Sequence, residues 1–208
     1  MKKRRKALSA AAAVLLMGSM LGACGSTSSD MTTLEVDDLS IIQHIVEPAD
    51  YAEDKADLES FITESVDQYN QEAGGEYITL DSCSLDSESV RVQMTYASYV
   101  EYAAFNQMPC FLGTLTDAAA QGYDLNINLK DKNGEEVNGQ ILLSSDPTFR
   151  VLIIQEPVQI KTDTRIQYVS DGVEITGSKT AVISGSGTEP ASVYEAETTE
   201  TLNYIVIK

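Results

Sequence analysis

Tryptophan is absent from this chain of 208 residues, histidine occurs once and cysteine three times. Each shortage removes a class of chemistry. A Ser or Cys nucleophile needs a base within hydrogen-bond reach, most often histidine. The single His44 sits in Ile41-Ile42-Gln43-His44-Ile45-Val46, a setting for packing or for the surface, and no G-x-S-x-G turn occurs. Zinc centres draw on Cys and His ligands, which are few in this chain. Without tryptophan the commonest platform for a sugar ring is missing, although ten tyrosines substitute in part. Basic residues are scarce as well: 14 Lys and Arg stand against 32 Asp and Glu, a formal net charge of −18. Nucleic acid is therefore excluded as a partner, because its binding is built on Lys and Arg neutralising phosphates. Gly185-Ser186-Gly187 lacks the third glycine and the helix start that would cradle a phosphate. No repeat of fixed period is visible.

What is present is concentrated at the start. Lys2, Lys3, Arg4, Arg5 and Lys6 form a positive segment, Ala7 to Leu21 is an apolar run too short for a permanent membrane span, and Leu21-Gly22-Ala23-Cys24 follows. This is the pattern of an export signal. An ordinary secretory cut after Ala23 would place bulky Leu21 where a small residue is wanted. The four residues resemble the lipobox of bacterial lipoproteins. That resemblance implies that Leu21, Gly22 and Ala23 are read by the signal peptidase, and that Cys24 is acylated on sulfur and becomes the first residue of the mature protein. Two acyl chains suffice for stable anchoring, since each buried methylene contributes about 0.8 kcal/mol. The expected location is the extracytoplasmic face of a cell membrane.

Removal of residues 1–23 leaves 185 residues with nine basic against 32 acidic side chains, a net −23. A chain of that size buries a core without stapling. Its negative charge disfavours lying flat on anionic lipid. Cys83 and Cys110 are the thiols left after lipidation, and a disulfide and two buried free thiols both fit their surroundings.

Gly25 to about Thr33 is small and polar, a flexible tether. If the slack extends to about Asp50, its reach is roughly 25 to 30 Å. Within it, Leu34 to Glu47 reads as a strand or a short helix. Leu58, Phe61, Ile62, Val66 and Tyr69 make one apolar stripe at helical spacing over residues 52–72. Asp50, Glu53, Asp54 and Asp57 crowd its start, where negative charge complements the helix dipole, and Gly74-Gly75 ends it. Tyr77–Leu85 and Val90–Tyr96 alternate as a hairpin around Asp86-Ser87-Glu88. Ser98-x-x-Glu101 and Thr114-x-x-Asp117 open two short helices, the first stopped by Pro109 and the second by Gly122, with a brief buried strand at Cys110–Gly113 between them. Tyr123–Leu129 and Glu136–Leu143 read as strands joined at Asn133-Gly134. From Phe149 onward strand follows strand, interrupted by a polar loop from Gly185 to Thr201.

The expected fold class is α+β, an antiparallel or mixed sheet with an N-terminal amphipathic helix and two short helices, followed by a strand-rich C-terminal part. The expected organisation is a signal peptide at 1–23, a lipid-anchored tether at 24–49, an α+β part at 50–147 and a β-rich part at 148–208, the last two packed as one unit.

Candidate sites are few. Asp131-Lys132-Asn133-Gly134-Glu135-Glu136 departs from the calcium-loop pattern because glycine arrives at the fourth position, so it reads as a hairpin turn. Tyr96, Tyr99 and Tyr102 cluster at the first capped helix and read as packing aromatics. Tyr102, Phe105-Asn106, Phe111-Leu112-Gly113-Thr114, Gly122-Tyr123-Asp124 and Tyr168-Val169-Ser170-Asp171-Gly172-Val173 resemble uncharacterised exported lipoproteins of Gram-positive anaerobes, a likeness that brings no activity with it. Catalytic, cofactor and metal residues are expected to be none. The expected function is non-enzymatic: a membrane-anchored binding or accessory module, partnered by the membrane through Cys24 and by an envelope protein or glycan, with the strand edges of Phe149–Lys208 as contact surface. The alternatives are a solute receptor for an importer, and an envelope hydrolase marked by two carboxylates in a pocket.

Overall fold

The computed structural model describes residues 31–38, 40–49, 54–184 and 202–208. The signal segment, Cys24, Asp50, Glu53 and the polar loop lie outside them.

Local sequence accounts for the elements. In β4 (Ser89–Tyr96), Val90, Val92, Met94 and Tyr96 are buried while Arg91 between them is exposed, the period-two signature of a strand with one covered face. Its hairpin partner β3 (Ile78–Leu85) turns at Asp86, whose carboxylate accepts from the amides of Glu88 and Ser89, both at 2.8 Å. Helix α1 (Lys55–Ala73) begins at Asp54, whose side chain accepts from Ala56 N at 2.7 Å, and ends where Gly74 takes φ = 80°, a conformation that costs glycine nothing. Of its expected stripe, Ile62 and Val66 are buried, Leu58 and Tyr69 are half-buried, and Phe61 is exposed. Ser98 caps α2 (Tyr99–Asn106). Thr114 and Asp117 form a full reciprocal capping box on α3 (Leu115–Ala120).

Two sheets form where one was expected. The first is mixed: β1 (Thr33–Val36), β2 (Ile41–Pro48), β3, β4, β9 (Gln159–Thr162), β11 (Val173–Gly177) and β12 (Thr180–Ile183), in the order β11-β12-β9-β1-β2-β4-β3. Its one parallel pair joins β1 to β9, with Thr33 opposite Gln159. The second is antiparallel: β5 (Cys110–Thr114), β6 (Asn128–Lys130), β7 (Glu136–Asn138), β8 (Arg150–Ile154), β10 (Ile166–Ser170) and β13 (Asn203–Ile207), in the order β5-β8-β13-β10-β6-β7.

Three readings change. Thr33–Val36 and Ile41–Pro48, inside the segment assigned to the tether, are two strands of the first sheet, which decides for the strand alternative at Leu34 to Glu47 and shortens the tether, because Leu34, Val36, Ile41 and Ile45 all face the core. The return strand expected to run to Leu143 ends at Asn138, whose side chain accepts from Gln140 N at 2.9 Å and starts a further helix, α4 (Gly139–Ser145). Its partner β6 is likewise short: of the expected Tyr123–Leu129 run only Asn128 and Leu129 pair with it, and the strand ends one residue beyond, at Lys130. The strands after Phe149 do not form a separate layer of edges. They spread over both sheets, and only β11 of them is an edge.

The second sheet is covered on both faces. Leu152 and Ile154 of β8, with Ile205 and Ile207 of β13, join the core shared with the first sheet and α1. Val151, Ile153, Tyr204 and Val206 join a second cluster with Leu115, Ala118 and Leu142 of α3 and α4. Burial on both sides explains why these two strands read as unbroken apolar runs. Among the described residues no helix is long and apolar enough to cross a membrane.

Candidate functional site

The sequence-predicted lipidation residues Leu21, Gly22, Ala23 and Cys24 lie outside the described residues. Within them, His44 stands on the outer face of the first sheet. Its Nε2 is 3.5 Å from Glu35 Oε1, and the same carboxylate oxygen is 3.1 Å from Lys161 Nζ. These three, with Arg91 and Gln93, line a shallow polar depression of about 370 Å³. Asp131 turns its carboxylate inward on its own loop, accepting from Asn133 N and Glu135 N at 2.8 Å each, which holds its pKa below the usual range. Among the described residues no group of three or more His, Cys, Asp or Glu side chains gathers as a metal would require.

Of the three clustered tyrosines two are interior and Tyr99 is half-buried. Tyr96 and Tyr102 are fully buried and meet edge to face with centroids 5.1 Å apart, and Tyr99 packs on Phe111 at 5.4 Å. Neither buried ring presents a face to a sugar. Cys83 in β3 and Cys110 in β5 are buried free thiols. Burial pushes both thiols up, so each stays protonated.

A polar network missed by the sequence reading runs through the shared core. The Tyr96 hydroxyl donates to Gln43 Oε1 at 2.8 Å and receives Asn106 Nδ2 at 3.4 Å. Beside it, the Tyr102 hydroxyl donates to Glu156. Burial raises the pKa of Glu156, the Tyr102 bond opposes that rise, and the charge of Glu47 adds to it. Glu47 is itself raised by burial. The available signal was an acid placed two residues after the apolar run Val151–Ile154 and two before buried Val158.

A larger concavity than the one beside His44 lies elsewhere. One face of α1, from Glu59 through Val66 and Asn70 to the Gly74-Gly75 turn, runs along β3 and leaves a groove of about 700 Å³. Its floor is Val66, Ile78 and Cys83, all buried, with half-buried Leu80. Neither Glu156 nor Glu47 lines this groove or the depression beside His44.

The fold defines a strand-rich α+β protein of two sheets and, among the described residues, four helices. No family model, no curated protein and no solved structure matches the chain.

Proposed function

We propose that this chain is a membrane-anchored extracytoplasmic lipoprotein whose folded part binds or holds a partner and performs no chemistry of its own. The observation that carries the reading is Leu21-Gly22-Ala23-Cys24 behind five basic residues and an apolar run, which resembles a lipobox. The fold adds a constraint. Strand β1 begins at Thr33, nine residues after Cys24, so the connection spans at most about 30 Å when fully extended. The body of an anchored protein would thus work close to the headgroups, with its surplus negative charge turned to water. An importer receptor wants two lobes around a cleft. Here the first sheet takes β1 to β4 from the first half of the chain and β9, β11 and β12 from the second, and it shares one core with the second sheet, which counts against it.

The test is fatty-acid labelling and fractionation of the full chain in a Gram-positive host. The unaltered protein should carry label and sediment with membranes, and Cys24→Ala should carry none. If the two fractionate alike, neither bearing fatty acid, the proposal fails.

One observation favours an envelope hydrolase: Glu47 and Glu156 are two neighbouring carboxylates, both with raised pKa values. Against it, Glu156 is held by a fully buried tyrosine and lines neither concavity described. Hydrolysis of cell-wall glycan that disappears in Glu156→Gln would decide for the enzyme.

A further inference from the structure

The groove between α1 and β3 has a free strand edge along one wall. Among the described residues β3 is the last strand of its sheet and pairs only with β4. Its phase is fixed at both ends: Tyr77 O accepts from Ala97 N at 2.8 Å, and Asp86 N donates to Ser89 O at 3.0 Å. Antiparallel pairing alternates, so Tyr77, Thr79, Ser82, Ser84 and Asp86 aim their backbone groups at β4, the register shift between Leu80 and Ser82 absorbing one residue. Ile78, Leu80, Cys83 and Leu85 are left aimed outward.

The first of these is already met by a stand-in for a strand. The Asn70 carboxamide accepts from Ile78 N at 3.0 Å and donates to Ile78 O at 2.7 Å, the two bonds that a neighbouring strand residue would make. Beyond it, no described residue bonds the outward groups of Leu80, Cys83 and Leu85. An open edge invites an added strand; proteins guard against this with bulges, of which β3 has one between Leu80 and Ser82, with charges, of which it has Asp81, and especially with lysine or proline. Ile78–Leu85 contains neither, and at eight residues it is the longest of the four sheet edges.

The lining selects the strand. Glu59, Asp67, Glu76 and Asp81 border the groove, and none of its fifteen lining residues is basic. Glu59 has Lys55 at 3.6 Å, and Asp81 accepts from Thr95 at 2.6 Å, a neutral partner. The charge therefore stays negative, and the buried floor offers apolar contacts for alternate side chains. Strand addition takes its affinity from main-chain bonds and its specificity from such contacts.

We propose that the outer edge of β3, faced by α1, accepts an extended basic peptide as an eighth strand of the first sheet. The proposal rests on the reading of this chain as a binding module and names the class of its partner: a segment alternating lysine or arginine with β-branched residues. Leu80 to Leu85 spans about 17 Å at strand rise, enough for five or six residues.

The probe is a fluorescent octapeptide of alternating lysine and valine, titrated by anisotropy against the full-length chain in nonionic detergent. Two analogues are N-methylated on one or the other alternate set of residues, and a third carries glutamate for lysine. Saturable binding is expected for the parent peptide and for one N-methylated analogue, and not for the other two. Hydrogen exchange should slow at Leu80, Cys83 and Leu85. The variant Asp67→Asn/Glu76→Gln should weaken binding about three- to tenfold, the range for two exposed charge contacts. Absence of binding, equal binding of both N-methylated analogues, or binding that leaves those three amides unprotected would overturn the proposal. The titration does not depend on acylation at Cys24, so its failure and the failure of the anchoring proposal are separate results.

Discussion

Tyr102→Phe removes one oxygen and leaves the ring, so it isolates the bond to Glu156. Tyr102 is fully buried, and among the described residues its hydroxyl is the one hydrogen-bond donor that Glu156 has. A hydrogen bond to a charged group contributes about 1.5 to 3 kcal/mol, and losing it leaves a desolvated carboxylate alone. Taking about 2 kcal/mol, a chain of this size should melt roughly 4 to 8 °C lower. The loss should depend on pH. Folded Glu156 keeps its proton to a higher pH than the unfolded side chain does, because burial raises its pKa. Between the unfolded value, about 4.3, and the raised folded value the folded state binds more protons, so stability falls as pH rises through that window. The Tyr102 bond lowers the folded value; deleting it widens the window, and the deficit should grow from pH 4 to pH 8. Urea unfolding followed by circular dichroism, with Glu156→Gln as second background, completes a double-mutant cycle. With a neutral acceptor at 156 the penalty should drop to about 0.5 to 1.5 kcal/mol. A deficit equal at both pH values, or unchanged in the Glu156→Gln background, would refute the reasoning.

Asn70→Ala should remove the clip that ends the β3 edge. Its carboxamide meets Tyr77 N, Ile78 N and Ile78 O at 2.7 to 3.0 Å, so a loss of about 1 to 3 kcal/mol is expected, read as a lower urea midpoint at unchanged slope. Cys110 should resist a thiol reagent in the native protein at pH 8 and react promptly in denaturant, since it is buried and held protonated, whereas Cys83, on the floor of the α1 to β3 groove, should react faster than Cys110 in the native protein. Rapid native labelling of Cys110 would contradict its place in β5.

Elements governed by neighbouring residues were legible in the sequence. Thr114-x-x-Asp117 predicts a helix start, and both reciprocal bonds are there. Asp86-Ser87-Glu88 predicts a turn, and Asp86 closes it with its own carboxylate. The strands after Phe149 fall within a residue or two of their apolar runs. What failed depended on distant partners. Leu34 to Glu47 admits a strand by its alternation, but the polar run before it suggested slack, and nothing local reveals that Thr33 pairs with Gln159. At Asn138-Gly139 the local signal existed and was overridden by the alternation before it. Asparagine caps helices well, and an added Cβ at Gly139 would sit 2.6 Å from Leu125 O, so that glycine marks a close crossing and not a strand interior. Of the candidate sites, the Glu156 network joins residues from β2, β4, α2 and the end of β8. The α1 to β3 groove joins two elements that were each legible alone, but their packing was not.

The placement of β13 governs how a partner surface is to be mapped. This last strand lies between β8 and β10 at the centre of the second sheet and sends side chains into both core clusters. A fragment ending near Ser145 would lack β8, β10 and β13, half of that sheet, together with β9, β11 and β12 of the other. Phe111, Leu112 and Leu115, now buried, would lose the strands they pack against. Loss of a partner by such a fragment would report unfolding, whichever face the partner uses. The same holds for removal of β1, whose Leu34 and Val36 sit in the shared core between β2 and β9. A binding surface on this fold is therefore resolved only by substitutions that leave both cores whole. Exposed Asp67 and Glu76, flanking the free edge of β3, meet that condition.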